Sequence, residues 1–389
     1  MLLDPLLGLA ILLFGAKVGG ILFSKLKQPS VIGELVAGII LGPSLLAVVG
    51  PSNLITVISD LGLLFMILLV SLSIDWKILE GRAEKFSWIE LTRVVFVIIA
   101  VFGAGFVLGW DIYTMVVMGT IIAIASTAIV ARTLSDMKQL HTQDGQTLMG
   151  LEVVDEVVAI ISVAIVANIM MGSEITLWPI FTTILLVVGL FVVMGRVGFK
   201  AVTRLTSSIQ KYGIEDALFA FTLLLAFALG SITQGLNLAS VLGVFIAGML
   251  LCRSAQYPVI KRKVKEIGEN FFIPVFFASV GLSINLFSAA GQIIPILMIM
   301  GIIVGIKVVT AVAAFKIFRY NMADTLKLTS GFVTLSEMTV VIVAIAVTKL
   351  SPVFYIGLIA SFVLINAASP LLIKFVFGRK TSTVRRGWG

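Results

Sequence analysis

The sequence predicts an all-α, polytopic membrane protein with about thirteen transmembrane helices, arranged as two inverted repeats of six helices each. The first observation behind this prediction is composition. Of the 389 residues, 59% are hydrophobic and only 12% are charged, whereas a soluble domain carries about a quarter charged residues. The other two observations are a series of apolar segments long enough to cross a bilayer and a sequence repeat that recurs at one fixed offset.

The apolar segments give the number of spans, because a helix needs about 20 apolar residues to cross the hydrocarbon core. The first segment has neither the basic start nor the A-x-A-like cleavage site of a signal peptide, so it is interpreted as a retained helix. The thirteen predicted spans are 2–23, 30–48, 56–74, 88–110, 112–134, 148–171, 176–200, 215–236, 238–253, 268–286, 290–317, 325–348 and 353–377.

Basic residues are distributed unevenly between these spans. Lys and Arg concentrate after the odd-numbered spans and in the C-terminal tail, whereas the segments after the even-numbered spans hold little besides Lys349. Cytoplasmic loops carry such an excess of basic residues. The prediction is a multi-pass protein of the cell membrane with its N-terminus outside and its C-terminus in the cytoplasm. The net charge of +8 therefore reflects orientation in the lipid bilayer and does not indicate a nucleic-acid partner.

The repeat is visible in two segments 210 residues apart. "SVIGELVAGIIL" at 30–41 recurs as "SVLGVFIAGMLL" at 240–251, with six of twelve positions identical, and the same offset places Ser126 on Ser336. The two copies are seven spans apart, so they cross the membrane in opposite directions. Such inverted repeats are typical of secondary transporters, whose sites lie where broken helices of the two repeats meet.

The repeat also predicts the domain organisation. The first repeat, spans 1–6, covers 1–171, a linker helix covers 172–212, the second repeat, spans 8–13, covers 213–378, and 379–389 form a short cytoplasmic tail. The sequence contains no nucleotide-binding glycine loop, metal cluster or catalytic-triad motif, and an enzyme is not predicted.

Two adjacent acids, Asp155 and Glu156, lie inside the apolar sixth span. Each charge costs roughly 2.5–3.5 kcal/mol in a membrane core. Lys307, near the middle of the eleventh span, is the predicted partner of Asp155. One lysine leaves the second acid uncompensated, and adjacent helical residues point about 100° apart. The other acid is therefore predicted to face a cavity, where it binds a proton or a small hard cation in competition. A structural ion pair without a role in transport remains the alternative for Asp155 and Lys307.

Hydroxyl groups occupy equivalent positions of the two repeats, in "AIASTAIVA" and "TLSEMTV". Ser126, Thr127 and Ser336 are predicted to lie mid-span, where an unwound segment exposes carbonyl groups to an ion. The alternative for each is a hydrogen bond to the carbonyl four residues earlier in its own helix. Glu337 belongs either to a structural pair or to the ion path.

Four further charged residues lie inside the predicted spans. Glu34, Glu152 and Arg93 lie near span ends, so that anchoring at the membrane interface is as well supported as a functional role. Lys17 lies between the glycines of "GAKVG", which indicate close helix packing such as a dimer contact.

The motifs together carry a resemblance that covers nearly the whole chain. They are "QPSVIGELVAGIILGPS", "STAIVARTLSDM", "VVDEVVAI", "FFIPVFFASVGLSI", the helix with Lys307, and "SEMTVVIVA". In this order they resemble the NapA-type sodium/proton antiporters of the monovalent cation:proton antiporter-2 family. The resemblance implies an NhaA/NapA-like fold with crossed broken helices, a homodimer with core and dimerisation domains, and elevator-like alternating access.

The resemblance also implies residue roles. Glu156 is similar in role to the family's ion and proton carrier, Asp155 pairs with Lys307, and the broken helices are the fifth and twelfth spans, around Thr127 and Ser336–Glu337. At two positions the residues differ from those usual in the family, and both bear on which ion is transported. Sodium exchangers usually have Asp-Asp where this chain has Asp155–Glu156, and a Gly where it has Ser71. The longer Glu changes coordination geometry and leaves Na⁺ and K⁺ both open.

The expected function is exchange of a monovalent cation, Na⁺ with Li⁺ as a second cargo, for protons, without a cofactor beyond the transported ions. The predicted binding residues are Asp155, Glu156, Ser126 and Thr127. Lys307 indicates electrogenic exchange, because two protons move per cation if Asp155 and Lys307 also swap protonation. The alternatives are a K⁺/H⁺ antiporter of the same fold, sodium-coupled symport of an organic anion, and a gated cation channel.

Overall fold

The computed structural model describes residues 4–26, 28–73, 82–170, 189, 198–211, 215–236, 240–252, 254–284 and 291–378, and these are organised as helices. A π-helical segment, Gly268–Phe272, joins α11 to α12. The helices are α1 (Pro5–Lys25), α2 (Ser30–Leu41), α3 (Asn53–Ser73), α4 (Ala83–Leu108), α5 (Ile112–Ala123), α6 (Thr127–Asp136), α7 (Gln143–Met170), α8 (Phe199–Lys211), α9 (Glu215–Gly235), α10 (Ser240–Cys252), α11 (Tyr257–Ile267), α12 (Ile273–Leu282), α13 (Ile293–Ile317), α14 (Met322–Phe332), α15 (Met338–Ala346) and α16 (Pro352–Gly378).

The predicted all-helical, multi-span architecture is confirmed. Among the described residues, eight helical segments are long and apolar enough to cross a membrane, with α5 and α6 counted together as one. The seventh predicted span, 176–200, and the tail, 379–389, fall largely or wholly outside the described residues.

Two predicted spans are shorter than expected. Helix α2 has 12 residues and α10 has 13, so that each rises only roughly 18–20 Å. Helix α2 stops at Leu41, well before the predicted 48, because Gly42 is extended and Pro43 follows it. A residue before proline is disfavoured in the helical region.

Both short helices pack closely on their neighbours through glycines. A methyl group at Gly33 of α2 would overlap the backbone of Gly19 on α1, and one at Gly38 would overlap the carbonyl of Ala278 on α12. Small residues of this kind let helix backbones approach in a membrane. The close packing predicted around Lys17 therefore occurs within the chain, between α1 and α2.

The fifth and twelfth predicted spans are broken, as expected. Helices α5 and α6 are separated by 124–126, and α14 and α15 by 333–337. The two breaks meet inside the protein, where the Ser126 N–H donates to Thr334 Oγ1 at 2.8 Å. The core is packed around this crossing, and α7, which carries the adjacent acids, lies against α5, α6 and α15.

Candidate functional site

The first helix break, 124–126, is held by three charged side chains. Arg93 on α4 donates to the Ala123 carbonyl, and Lys307 on α13 donates to the Ile124 carbonyl at 2.6 Å. Asp155 Oδ2 accepts from the Ala125 N–H at 2.6 Å. A helix end leaves carbonyl or N–H groups without intrahelical partners, and no water satisfies them inside a bilayer. The three charged side chains therefore bind backbone groups that have no partner within the broken helix.

The second break, 333–337, is held mostly by neutral groups. Asn366 on α16 accepts from the Leu335 N–H at 2.9 Å and donates to the Leu335 carbonyl at 2.8 Å. Lys307 also reaches this break and donates to the Phe332 carbonyl at 3.2 Å. Lys307 therefore connects the two breaks through their backbones.

The structure gives Asp155 a different partner from the predicted one. Its carboxylate pairs with Arg93 at 2.6 Å, and the Lys307 ammonium is instead directed at backbone carbonyls. Arg93 also pairs with Glu90, one turn earlier on α4. Arginine fits this position because its planar fork donates to several acceptors at once.

Interfacial anchoring was the wrong interpretation for Arg93 and Glu152. Both side chains are fully buried. Helices α4 and α7 begin at Ala83 and Gln143, earlier than the predicted 88 and 148, so both residues lie more than two turns from their helix ends. Glu152 Oε2 lies 3.5 Å from the Thr127 hydroxyl.

Glu156 has a different environment from Asp155. It lines a cavity of about 870 Å³ together with Thr127 and Glu337. The Thr127 hydroxyl donates to Glu156 Oε1 at 2.7 Å, and the Ser126 hydroxyl donates to Glu337 Oε1 at 3.2 Å. Thr127 is the first residue of α6 after the break, so the cavity reaches the helix crossing.

The predicted site residues fall into two groups. Three of them line the cavity: Thr127, Glu156 and Glu337. The other four are buried in or beside the helix breaks: Asp155, Ser126, Ser336 and Lys307. Ser336 acts locally, since its hydroxyl oxygen accepts from the Met338 N–H at 3.2 Å near the start of α15.

Two residues of this arrangement, Glu90 and Asn366, were missed in the sequence. Glu90 and Arg93 are three residues apart, a spacing that places an acid and a base on the same helix face, and this signal was available. Asn366 could have been found from the repeat, since the 210-residue offset carries Ala125 to Leu335 and Glu156 to Asn366.

Carboxylates outnumber basic groups around the crossing. Within the part of the chain that the structure describes, the acids there are Glu90, Glu152, Asp155, Glu156 and Glu337, and the bases are Arg93 and Lys307. Uncompensated charges are costly in a membrane interior. The excess carboxylates must therefore hold protons or cations, and Glu156 and Glu337 are the two that the cavity reaches.

Known proteins resemble this chain in sequence and in fold. The family described as sodium/hydrogen exchanger, transmembrane, matches residues 10–378. The Na⁺/H⁺-K⁺ antiporter GerN of Bacillus cereus is 23% identical, covering 97% of both chains. The Na⁺/H⁺ antiporter of Enterococcus hirae is 23% identical over 94% of this chain and 96% of its own. Among solved structures, the sodium proton antiporter MjNhaP1 of Methanocaldococcus jannaschii superposes with a TM-score of 0.74 at 17% identity, over 95% of this chain and 98% of that one.

Proposed function

The chain belongs to the transmembrane sodium/hydrogen exchanger family, and we propose on this premise that it exchanges Na⁺ for protons at Glu156. The family consists of membrane transporters and not enzymes, and the chain is accordingly a multi-pass cation/proton antiporter.

The observation that carries the proposal is the accessibility of Glu156. Its neighbour Asp155 is sealed and already paired with Arg93, whereas Glu156 lines the cavity and accepts only the neutral Thr127 hydroxyl among its described contacts. A carboxylate with an adjacent hydroxyl offers the oxygen ligands that hard cations prefer.

Competition at one carboxylate is enough to couple the two ions. If Glu156 holds either a proton or Na⁺, and only these loaded states change access from one side to the other, each cation that crosses requires protons to cross in the opposite direction. A ligand shifts such an equilibrium only through its different affinity for the two states.

The proposal is tested with purified protein in sealed proteoliposomes that carry an acid interior and a pH-sensitive dye. External Na⁺ should dissipate the gradient with wild-type protein, and Glu156→Gln should abolish the response. Glu266→Gln, which removes an exposed carboxylate on α11, is the matched control and should behave as wild type. Na⁺-driven proton movement that survives in Glu156→Gln would overturn the assignment of the site.

K⁺ is a second candidate cargo, and Li⁺ a third. The name of GerN includes both Na⁺ and K⁺, and position 156 carries the longer Glu, which changes coordination geometry. The same assay with K⁺ or Li⁺ in place of Na⁺ separates these cargoes, because the ion with the lowest half-maximal concentration identifies the preferred one.

We further propose that exchange is electrogenic through Lys307. Asp155 and Lys307 bind consecutive residues of one break, Ala125 and Ile124. A change in the protonation of either group therefore acts on the backbone segment that the other group also contacts. Lys307→Gln should remove the effect of an imposed membrane potential on the exchange rate. An unchanged voltage dependence in that variant would exclude a role for Lys307 in moving charge.

The cavity is proposed to open to the cytoplasm. It is lined by Lys25 and Ser73, the last residues of α1 and α3, and the segments that follow these helices are rich in Lys and Arg. Cytoplasmic loops carry this excess, which supports the proposal that the N-terminus lies outside.

Membership of the antiporter-2 branch, a homodimer and division into repeats at 1–171 and 213–378 are also proposed. The repeats are supported by the two breaks, which lie near equivalent positions under the 210-residue offset. Crosslinking of the protein in its native membrane should trap a dimer, and monomers alone would contradict that part.

A further inference from the structure

Glu34 is a buried acid in the cavity that the exchange mechanism does not use. It lies on α2, is only 6% exposed, and lines the same 870 Å³ cavity as Glu156. Its Oε2 atom is buried without a hydrogen-bond partner among the described residues. Within the described part of the chain, this carboxylate oxygen is therefore free to take a proton, a water molecule or an ion from the cavity, because an uncompensated charge is costly in a membrane interior.

Two lysines line the cavity: Lys25 is exposed at the end of α1, and Lys17 directs its ammonium at other oxygen atoms. The Lys17 ammonium donates to the Glu269 carbonyl at 3.1 Å and to Asn270 Oδ1 at 3.2 Å. Both acceptors belong to the π-helical segment between α11 and α12, and single π-helical turns are frequent at functional sites. The hydrogen bonds of the Lys17 ammonium therefore go to this segment, although its charge still acts on Glu34, and the segment adds its own oxygen atoms to the wall.

We propose that Glu34 is a second cation site, which holds the transported monovalent cation between the mouth of the cavity and Glu156. The oxygens of Glu34, Glu269 and Asn270 are suited to a hard, partly hydrated cation. The positive charge of Lys17 in the same wall makes this site weaker than the one at Glu156. The inference rests on the proposed function, since it takes the cation exchanged at Glu156 as its ligand.

The first test is transport kinetics in proteoliposomes. Glu34→Gln should raise the half-maximal cation concentration about tenfold, equivalent to 1.4 kcal/mol of binding free energy, and leave the maximal rate within a factor of two. Glu34→Asp, which keeps the charge, should restore most of the affinity. Asp60→Asn is the matched control, because it removes an exposed carboxylate on α3 that does not line the cavity. An unchanged half-maximal concentration in Glu34→Gln would overturn the proposal.

The second test measures binding without transport, so that the two proposals fail separately. Ligands that bind only the native state raise the unfolding temperature. In Glu156→Gln, Na⁺ compared with equal choline should still raise the unfolding temperature, at higher concentrations than in wild type. The double variant Glu34→Gln/Glu156→Gln should lose this response. If Glu156→Gln alone abolishes it, the Glu34 site is refuted and the exchange site stands. If Glu156→Gln still exchanges Na⁺ for protons, the proposed function itself fails.

Discussion

Asp155 and Glu156 are adjacent in sequence but have different surroundings, because successive residues of a helix point about 100° apart. Asp155 accepts the Ala125 N–H and pairs with Arg93, whereas Glu156 meets a hydroxyl and open space. One acid therefore stabilises the broken helix that positions the other. This division accounts for two neighbouring carboxylates in an apolar helix.

The buried Arg93 gives a prediction about stability. Arg93→Gln leaves Glu90 and Asp155 without their cation, and breaking a buried pair in this way costs about 3–5 kcal/mol. The double variant Glu90→Gln/Arg93→Gln removes one of the two uncompensated acids, so it should unfold at a higher temperature than the single variant. Thermal unfolding in detergent measures the difference. A double variant no more stable than Arg93→Gln would contradict this role for Arg93.

At the residue scale, the sequence identifies the chemistry but not the partners. The acids and Lys307 stand out because charges are rare in apolar spans. Which base meets Asp155 depends on the rotation of three helices about their axes and on where each helix begins, and α4 begins five residues before the predicted position. Lys307 donates to backbone carbonyl groups at both helix breaks. The sequence has no pattern that shows which backbone groups lack a partner at such breaks.

At the element scale, the two helix breaks satisfy their unpaired backbone groups in different ways. At the first break the open backbone groups bind Arg93, Lys307 and Asp155. At the second break Asn366 satisfies both groups of Leu335 with one neutral amide. Lys307 also donates to the Phe332 carbonyl at the second break, so it contacts both breaks. We expect an ion or proton bound near the crossing to act more strongly on the first break, because three charged side chains hold it.

Asn366 gives a prediction about the second break. Asn366→Leu leaves the N–H and the carbonyl of Leu335 unsatisfied, and each buried unpaired group costs about 1–3 kcal/mol. The variant should unfold at a lower temperature and exchange ions more slowly. Ser361→Ala is the control, because Ser361 is also buried on α16 but its hydroxyl donates only to the Gly357 carbonyl of its own helix. Equal stability of both variants would show that Asn366 does not hold the break.

The contact between α2 and α12 gives a second prediction for the elements. Gly38→Ala places a methyl group against the carbonyl of Ala278, so α2 must move away and stability should fall by about 1–3 kcal/mol. Gly301→Ala on α13 meets no atom within 4 Å and should be neutral or stabilising by up to about 1 kcal/mol, because glycine weakens a helix interior. Unfolding temperatures compare the two variants. The contact is not essential if Gly38→Ala is as stable as Gly301→Ala.

The sequence predicts the elements better than it predicts their lengths. The resemblance implied both helix breaks and the equivalent hydroxyl groups marked their positions, and the structure has the breaks within a few residues of Thr127 and Ser336. The C-terminal end of α2 was missed because apolar residues continue past Gly42 and Pro43. Hydropathy alone does not distinguish a spanning helix from a short helix followed by an apolar turn.

At the scale of the whole molecule, the cavity gives access to Glu156 from one side, and the helix crossing closes its inner end. The cavity approaches Glu156 from the side on which α1 and α3 end, and the crossed breaks with their buried charges lie at its inner end. Exchange requires that this access alternates between the two sides, through a movement of the helices that carry the site. Under the proposed exchange, the structure corresponds to one access state, and the side to which its cavity opens can be measured directly.

A cysteine at Ala131 tests the side to which the cavity opens. Ala131 lies on α6 and lines the cavity, and the single natural Cys252 is first replaced by alanine to give a silent background. A membrane-impermeant maleimide should label Ala131→Cys in inside-out vesicles and not in right-side-out ones, because the cavity is proposed to face the cytoplasm. Gly301→Cys, on an exposed face of the apolar α13, is the control and should remain unlabelled in both, since lipid excludes the reagent. Preferential labelling in right-side-out vesicles would reverse the proposed orientation, and no labelling in either would mean that water does not reach the cavity.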